Sequence, residues 1–393
     1  MFFQKTKIKI LIVGFIFLVG AVMTLAFLPT AAEPADELAQ LNSKYGLVTV
    51  ESLGQSTAPQ IASLFKTDFL RADLLESNKS RQELILKLET DEPTTDLQNV
   101  LILNLQTDEN IEHVAQDYQN SKVVKYAEPN FDLETELPSV LIDESRVESV
   151  TSVEPIREPI VVAVLDSGVD AKHPDLAGRV LPGWDFVNHS AETTDNDGHG
   201  THVAGIILAN SANAEILPLK ISDSSAGKIS ELIQAIKFAA DRGARVINLS
   251  LGLRQESQIL QEAIDYARAK NAIIVAAAGN YRSSVEYFPA AWPEVFAVSA
   301  LAKNGNKLFL SNFGQWIDFS VVAQDVSAPE PGGEYAFRTG TSQAAPVVSA
   351  KIADFLSTSN TTDFVAVDNF LLENSEPIES KYLLGRQILA VDE

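Results

Sequence analysis

The sequence predicts an α/β fold in which a doubly wound, mostly parallel sheet is flanked by helices and is preceded by a small α+β domain. Runs of β-branched and apolar residues alternate with helical segments from residue 160 onward, as expected for strands buried on both faces of a parallel sheet. Shorter strand and helix candidates fill residues 33–131. Between the two regions, residues 132–159 hold eight acidic residues, three prolines and no glycine, which indicates an extended, exposed linker.

The overall composition narrows the classes of function. The chain of 393 residues is long enough for two or three domains, and its hydrophobic content of 46% supports a sizeable core. The absence of cysteine excludes disulfides, cysteine metal sites and thiol nucleophiles. A formal net charge of -23 argues against a nucleic-acid partner, because phosphate binding needs clustered positive charge.

Residues 1–32 differ from this polar background. Lysines at positions 5, 7 and 9 precede residues 10–28, a run of 19 residues without charge. A signal-peptide core has about 7–15 apolar residues and a membrane-spanning helix about 20, so both a signal peptide and a membrane anchor remain open. Either would place the rest of the chain outside the cytoplasm, secreted or held by a single span, with the basic end inside.

Individual elements are predicted from local periodicity. In residues 33–131, strands are expected at 47–50, 100–105 and 123–126, with a weaker candidate at 82–88, and helices at 37–44 and 108–118. In residues 160–393, strands are expected at 160–165, 216–219, 246–249, 273–276 and 295–298, and helices at 229–240 and 258–269. After residue 356 the pattern indicates only a short strand or helix near 370–372.

Two polar side chains stand where predicted elements begin or end. Asp166 directly follows the first strand of the larger region, and ligands in open α/β sheets bind outside the carboxyl ends of strands. His199 follows a glycine at the start of an apolar helix, and histidine suits general-base work near neutral pH. The alternative for Asp166 is a turn or helix cap. The alternative for His199 is a metal site with His202, but their spacing lacks the His-Glu-x-x-His pattern.

Ser342 and Asn280 complete the set of candidate functional residues. Ser342 begins an apolar helix after a Gly-Thr turn, so its N–H is expected at a helix N-terminus, where negative charge is favoured. The alternative for this motif is a simple helix cap. Pro346 is expected in the first turn of that helix, where its missing N–H is not needed. Asn280 follows a predicted strand and offers an amide donor, although Gly-Asn is also an ordinary turn. All four candidates fall on one edge of the predicted sheet, in the order Asp, His, Ser known for one class of catalytic triad.

Five segments in this order resemble motifs of the subtilisin-like serine proteases, the subtilases. They are residues 164–170, 199–205, 248–252, 277–280 and 340–342. The resemblance covers residues 160 to about 356 and implies a subtilisin-like fold. Residues 100–131 also resemble the second half of the propeptide of this family, and residues 35–53 resemble an earlier part of it.

The resemblance implies a role for each candidate residue. Ser342 would attack the scissile carbonyl, His199 would take its proton, and Asp166 would orient the imidazole. The side chain of Asn280 and the N–H of Ser342 would hold the oxyanion. The substrate-binding residues implied are Ser250, Leu251 and Gly252, which pair with the peptide backbone, together with Ala277, Ala278 and Gly279.

The sequence departs from the family pattern at three places. Gln343 stands where the family usually has methionine. The stretch between His202 and Pro218 is short, so the calcium-binding loop of many relatives is missing there. Tyr287 puts bulk near the first substrate pocket, which is expected to favour small side chains at the cleaved position.

These observations predict a serine endopeptidase exported as a zymogen, with residues 33–131 as its propeptide, 132–159 as the cleaved linker and 160–393 as its catalytic domain. The expected partners are polypeptide substrates, the chain's own propeptide in cis and, for an anchor, the membrane. No cofactor and no metal at the site are expected, and a calcium site elsewhere is left open. The alternatives are an inactive subtilase fold that serves as a binding or scaffold protein, and a membrane-tethered structural protein.

Overall fold

A computed structural model describes residues 32–52, 81–88, 100–135, 159–223, 226–359, 361 and 363–388. The chain divides into two compact units, Met1–Asn130 and Phe131–Glu393. No helix among the described residues is long and apolar enough to cross a membrane. The apolar run at 10–28, with its two readings as signal peptide or anchor, lies outside the described residues.

Within its described residues, the first unit is a four-stranded antiparallel sheet with two helices. Its strands lie in the order β1-β3-β2-β4, and their apolar residues form a core with Tyr118. The weaker strand candidate at 82–88 is confirmed. The second helix begins at Ile111 instead of residue 108, because the side chain of Asn110 accepts a hydrogen bond from the His113 N–H and caps it. The elements are α1 Ala32–Lys44, β1 Leu47–Ser52, β2 Arg81–Leu88, β3 Val100–Gln106, α2 Ile111–Gln119 and β4 Val124–Pro129.

The second unit contains a nine-stranded sheet flanked by helices. The elements up to its midpoint are β5 Glu134–Thr135, β6 Ile160–Asp166, β7 Trp184–Asp185, α3 His199–Asn210, β8 Ala214–Lys220, β9 Ser222–Asp223, β10 Ala226–Gly227, α4 Ile229–Asp241, β11 Val246–Leu249 and β12 Leu251–Gly252. The remaining elements are α5 Gln258–Ala269, β13 Ile273–Ala277, β14 Val295–Leu301, β15 Phe319–Val322, β16 Val326–Glu330, β17 Glu334–Arg338, α6 Thr341–Thr358, α7 Phe364–Glu373, β18 Ser375–Pro377 and β19 Arg386–Ile388.

The large sheet is parallel except at one edge, as predicted. Its strand order is β18-β19-β15-β14-β13-β11-β6-β8-β7, and only β18 pairs antiparallel. Both of its faces are covered. Val162 and Val164 on β6 join a core cluster with residues of α3 and α6, whereas Ala163 and Leu165, which alternate with them, are equally buried and point to the opposite face. The carboxyl ends of β6, β11 and β13 therefore share one edge.

Some elements agree with the sequence-based expectations and others differ from them. The strand at 246–249 and the helix at 258–269 are found with their predicted bounds. The hairpin β16–β17 and the strands β15 and β19 were not predicted, since their residues mix polar and apolar types without a clear period. The candidate at 370–372 lies within the helix α7.

The start of the acidic linker is partly buried, contrary to expectation, although Asp132 itself is exposed. Leu133 is only 4% exposed, and its N–H donates to the carbonyl of Gly227 at 2.8 Å. The strand β5 pairs antiparallel with β12, which places Thr135 opposite Leu251 and Glu134 opposite Gly252. An apolar residue and an unpaired strand edge thus order this part of the linker, which its acidic composition did not suggest.

The short connection after α3 is held by an arginine. The Arg179 guanidinium donates to the carbonyls of Leu208, Ser211 and Ala214 at 2.5–3.2 Å. These carbonyls belong to the end of α3, the turn after it and the start of β8, where helix and strand termini leave backbone acceptors unpaired. One side chain therefore closes the connection between His202 and Pro218 that the sequence showed to be short.

Candidate active site

Asp166 and His199 form a hydrogen-bonded pair at the carboxyl edge of the sheet. Asp166 is the last residue of β6, and His199 is the first residue of α3. Nδ1 of His199 lies 2.7 Å from Oδ1 of Asp166, and the Ser167 N–H donates to the same oxygen at 2.8 Å. Only 5% of the Asp166 side chain and 14% of the His199 side chain are exposed. The pair is thus built as a carboxylate that holds one imidazole nitrogen.

A second buried carboxylate orders the turn in front of His199. Oδ1 of Asp195 accepts hydrogen bonds from the Ser167 hydroxyl and the Gly198 N–H, and Oδ2 accepts both the N–H and the hydroxyl of Thr201. The Ser167 hydroxyl in turn accepts the Gly200 N–H at 3.0 Å. Gly198 precedes the helix with φ +94°, a conformation that favours glycine. This network ties the start of α3 to the end of β6.

Ser342 is the second residue of α6. Both its hydroxyl and its backbone carbonyl form hydrogen bonds with Ser250. The Ser342 hydroxyl donates to the Ser250 carbonyl at 2.8 Å, and the Ser250 hydroxyl donates to the Ser342 carbonyl at 3.1 Å. Pro346 lies beyond the first turn of α6, so the expectation for its position was wrong. A residue at 346 would normally donate its N–H to the carbonyl of Ser342. Proline cannot donate, and the Ser250 hydroxyl takes that place.

Asn280 and Gly279 are tied to the residue before Ser342. The Thr341 N–H donates to Oδ1 of Asn280 at 3.1 Å, and the Gly279 N–H donates to the Thr341 hydroxyl at 3.0 Å. Because Oδ1 accepts this bond, the NH₂ end of the Asn280 side chain is the end that can donate elsewhere. Ala277 is the last residue of β13. The N–H of the next residue, Ala278, donates a hydrogen bond to the Val298 carbonyl. The segment 277–280 therefore lies beside the N-terminus of α6.

The segment from Ser250 to Gly252 has the form of a strand that can receive a peptide. Ser250 is fixed by the Asn248 side chain at 3.0 Å, and Leu251 and Gly252 form β12. In this structure the strand β5 of the same chain pairs with β12 in antiparallel fashion. An extended peptide bound in this way would be held by backbone hydrogen bonds and selected by side-chain pockets.

Tyr287 fills space between β12 and the segment 277–279. It is 4% exposed. A Cβ atom built on Gly252 would lie 2.4 Å from its ring, and one built on Gly279 would lie 3.1 Å from it. The ring also packs on Tyr281 with a centroid distance of 5.7 Å. Tyr287 thus stands as bulk between β12 and the segment 277–279.

His202 has a structural place instead of a metal-binding one. Its Nε2 lies 3.2 Å from the carbonyls of Val326 and Ala336, one on each strand of the hairpin β16–β17. Burial, with the nearby charge of Arg338, lowers the pKa of His202 to about 3. The side chain therefore stays neutral and links α3 to the hairpin. No cluster of three or more metal-ligating side chains occurs among the residues that the structure describes.

Sequence reasoning missed the residues that hold the candidates in place. Asp195 in a turn, Thr341 at the start of α6 and Asn248 on β11 make the supporting hydrogen bonds. Thr341 and Asn248 lie within the motifs 340–342 and 248–252, but a motif does not show which groups their side chains bind. Asp195 offers one signal, since an acidic residue shortly before a glycine and a helix start is a common cap or turn former. Gln343 is 2% exposed, so this departure from the family pattern is a buried polar residue.

Comparison with known proteins agrees with the resemblance to the subtilases that the sequence motifs indicate. A family model described as the subtilase family matches residues 157–382. A thermophilic serine proteinase of Bacillus sp. (strain AK1) is 36% identical over 264 residues, which cover 62% of this chain and 66% of the relative, just under two thirds of its length. Thermitase of Thermoactinomyces vulgaris is 38% identical over 199 residues, which cover 48% of this chain and 71% of that protein.

A solved structure supports the fold independently. The crystal structure of a cold adapted subtilisin-like serine proteinase superposes with a TM-score of 0.57 at 24% sequence identity, and the match covers 64% of this chain and 97% of the other. At this identity the likeness concerns the fold alone. The predicted doubly wound sheet with flanking helices is confirmed.

The arrangement of Ser250 and Pro346 leads to a testable prediction. Ser250→Ala leaves the Ser342 carbonyl without its donor. We expect the free energy of unfolding to fall by about 1–2 kcal/mol and the unfolding midpoint to fall by about 2–6 °C. In a Pro346→Ala background the same change should cost less, because the restored backbone N–H can donate to the carbonyl, while the hydrogen bond from Asn248 Nδ2 to the Ser250 hydroxyl is lost in both backgrounds. Thermal unfolding of the parent protein, the two single variants and the double variant measures the coupling between positions 250 and 346. All four proteins carry His199→Ala to remove the expected general base. Equal losses in the two backgrounds would contradict the prediction.

Proposed function

This chain belongs to the subtilase family of serine proteases, and on that premise we propose that it is an endopeptidase acting through Ser342, His199 and Asp166. The observation that carries the proposal is the hydrogen bond of 2.7 Å between Asp166 and His199 at the sheet edge where α6 begins with Thr341 and Ser342. The helices α3 and α6, which carry the base and the nucleophile, pack against each other.

In the proposed reaction the Ser342 hydroxyl attacks the carbonyl carbon of the scissile peptide bond. Its proton passes to Nε2 of His199, while Asp166 keeps the Nδ1 proton in place and stabilises the imidazolium. Collapse of the tetrahedral intermediate breaks the C–N bond, and the imidazolium gives its proton to the leaving amine. Water then attacks the acyl-enzyme with His199 again as base, which releases the acid and restores the Ser342 hydroxyl.

The negative charge of the intermediate needs donors that are oriented before the reaction. The side-chain NH₂ of Asn280 is oriented by the bond that Oδ1 accepts from the Thr341 N–H. The N–H of Ser342 lies in the first turn of α6, where backbone donors have no helical acceptor and the helix dipole favours negative charge. We assign these two donors to the oxyanion.

We propose that the substrate adds as a strand to β12, with Ser250, Leu251 and Gly252 on one side of the peptide. The pairing of Glu134 and Thr135 with Gly252 and Leu251 supports this mode, because it shows that the strand accepts an antiparallel neighbour. Ala277, Ala278 and Gly279 would form the opposite wall. Polypeptides are thus the proposed substrates.

We also propose that the protein is exported as a zymogen. Residues 33–131 would be the propeptide, 132–159 the cleaved linker, and 160–393 the catalytic domain. Residues 131–135 support an inhibited form, since they contact both Gly227 and β12 with buried Leu133 between them. Residues 1–32 would act as a signal peptide or a membrane anchor, which gives an extracytoplasmic location.

Tyr287 would set the preference at the cleaved position. Its ring occupies space between Gly252 and Gly279, the two places where the pocket walls carry no side chain. A large residue of the substrate would compete with this ring, whereas alanine, serine or glycine would fit.

A fluorophosphonate probe tests the proposed catalytic residues. The processed protein should be labelled at Ser342, and Ser342→Ala should abolish both label and peptide hydrolysis. Asn280→Ala should lower kcat about 10²–10³-fold with little change in KM, because the side-chain NH₂ would bind the oxyanion that forms in the transition state and not the ground-state substrate. Asn304→Ala, on an exposed loop, serves as the control. A folded, processed protein that does not react with the probe would favour the inactive-subtilase alternative.

Mass spectrometry of the expressed full chain tests the zymogen proposal. The wild-type protein should be cut within residues 132–159, whereas Ser342→Ala should keep its propeptide attached because the cut needs the nucleophile. Addition of active wild-type protein to Ser342→Ala then distinguishes cleavage within one chain from cleavage between chains. Identical processing of the two proteins in isolation would rule out self-processing.

Peptide substrates that differ only at the cleaved position test the role of Tyr287. The wild type should prefer alanine over phenylalanine, and Tyr287→Ala should raise the phenylalanine-to-alanine ratio of kcat/KM about 10–100-fold, as expected when several methylene-sized volumes are released. Tyr266→Ala on α5, whose hydroxyl bonds to Asp241, is the matched control. Faster cleavage after phenylalanine by the wild type would refute this specificity.

A further inference from the structure

The hairpin β16–β17 connects the helix that carries His199 to the helix that carries Ser342. Its second strand ends at Arg338, three residues before α6 begins at Thr341. Its first strand packs on α3, where a Cβ atom built on Gly205 would lie 2.3 Å from Cδ of Pro329. His202 links α3 to both strands of the hairpin by hydrogen bonds at 3.2 Å. A displacement of the hairpin is therefore expected to shift the starts of both α3 and α6.

This hairpin carries an ion pair that is mostly withdrawn from water. Nε of Arg338 donates to Oε1 of Glu330 at 2.7 Å, and the two side chains are 11% and 15% exposed. Arg338 also donates through Nη2 to the Asp197 carbonyl at 3.4 Å. An ion pair this buried is weak evidence for stability, because apolar residues often fill such a place as well or better. Its position therefore calls for another explanation.

The ion pair lies against the turn that leads into His199. A Cβ atom built on Gly198 would lie 1.9 Å from Oε2 of Glu330 and 2.9 Å from Nη2 of Arg338. The backbone of Gly198, at φ +94°, is thus in contact with both charged groups. Because His199 is the next residue, the pair limits where the peptide unit before the imidazole can lie.

The charged groups around His199 belong to four structural elements. Burial raises the pKa of Glu330, and the hydrogen bond from Arg338 offsets part of this rise. Glu330 also interacts electrostatically with His199. The titratable or charged groups on the elements packed around His199 are Asp166 from β6, which binds the imidazole, Asp195 and Asp197 from the preceding turn, which bind backbone N–H groups, His202 from α3, and Glu330 and Arg338 from the hairpin.

We propose that Glu330 and Arg338 form a positioning pair for His199, which fixes the Asp197–Gly198 turn and supplies a second carboxylate that stabilises the imidazolium. The inference rests on the proposed function, in which His199 accepts the proton of Ser342. Asp166 binds the imidazole directly, and Glu330 acts from the side of the backbone turn. Arg338 keeps that carboxylate ionised and holds it against Gly198, so that the two residues act as a unit.

The test is the pH profile of kcat/KM for the full chain after processing, with active sites counted by the fluorophosphonate probe. Glu330→Gln keeps the size of the side chain but removes its charge, so the imidazolium is less stable and the acid limb should move to lower pH by about 0.5 unit. We expect kcat to fall about 3–10-fold while KM stays within about twofold, because the change affects proton transfer more than substrate binding. Glu192→Gln removes the same charge from the exposed loop before α3 and should leave the acid limb in place.

The remaining variants separate the electrostatic role from a structural one. Glu330→Asp should lower kcat without moving the acid limb, since it keeps the charge but retracts it from Gly198. Arg338→Lys should restore most of the kcat that Arg338→Gln loses. An acid limb that stays fixed in Glu330→Gln, while the wild type is labelled and active, would overturn the positioning role and leave the proposed function intact. A wild type that does not react with the probe would instead refute the proposed function.

Discussion

Two buried carboxylates, Asp166 and Asp195, govern the active-site edge of the catalytic unit. Each is 4% exposed, and a carboxylate so far from water destabilises the fold unless donors surround it. Asp166 obtains the Ser167 N–H and Nδ1 of His199, and Asp195 obtains donors from the turn and first residues of α3. The hydrogen bonds to Oδ1 of Asp166 and to both oxygens of Asp195 join the end of β6 to the start of α3. His199 is therefore oriented by hydrogen bonds that also hold these two elements together.

Ser342, the proposed nucleophile, is held by a comparable exchange of hydrogen bonds. Pro346 removes a helical donor from α6, and the Ser250 hydroxyl supplies one to the Ser342 carbonyl. Ser250 belongs to the segment that leads into β12, so the strand proposed to bind peptide is joined to the residue proposed to attack it. Gly279 and Asn280 reach the same helix start through Thr341. The hairpin β16–β17 contacts α3 and leads into α6, which is why we propose that a charged pair within it influences His199.

Much of the fold could be predicted because the buried strands of a parallel sheet are continuous apolar runs. The strand at 246–249 and the helix at 258–269 needed no tertiary information. The hairpin β16–β17 could not be predicted in this way, since its strands pair with each other and with α3 across the chain, and their sequence mixes Pro329 with charged residues. The burial of Leu133 was missed for the same reason, because its environment is made by Gly227 and β12 far along the chain.

The sequence by itself determined the type of sheet, the family resemblance and the positions of Asp166, His199, Asn280 and Ser342 at element ends. These features depend on local periodicity and on motifs within a few residues. Only the tertiary structure decided which groups hold those residues: Asp195 for the turn, Ser250 for the carbonyl before Pro346, Tyr287 between the pocket walls and Glu330 with Arg338 against Gly198. Most of these contacts, such as those of Ser250 with Ser342 and of Glu330 with Gly198, join residues distant in the chain, and hydrogen bonds and packing of that kind leave no periodic trace in the sequence.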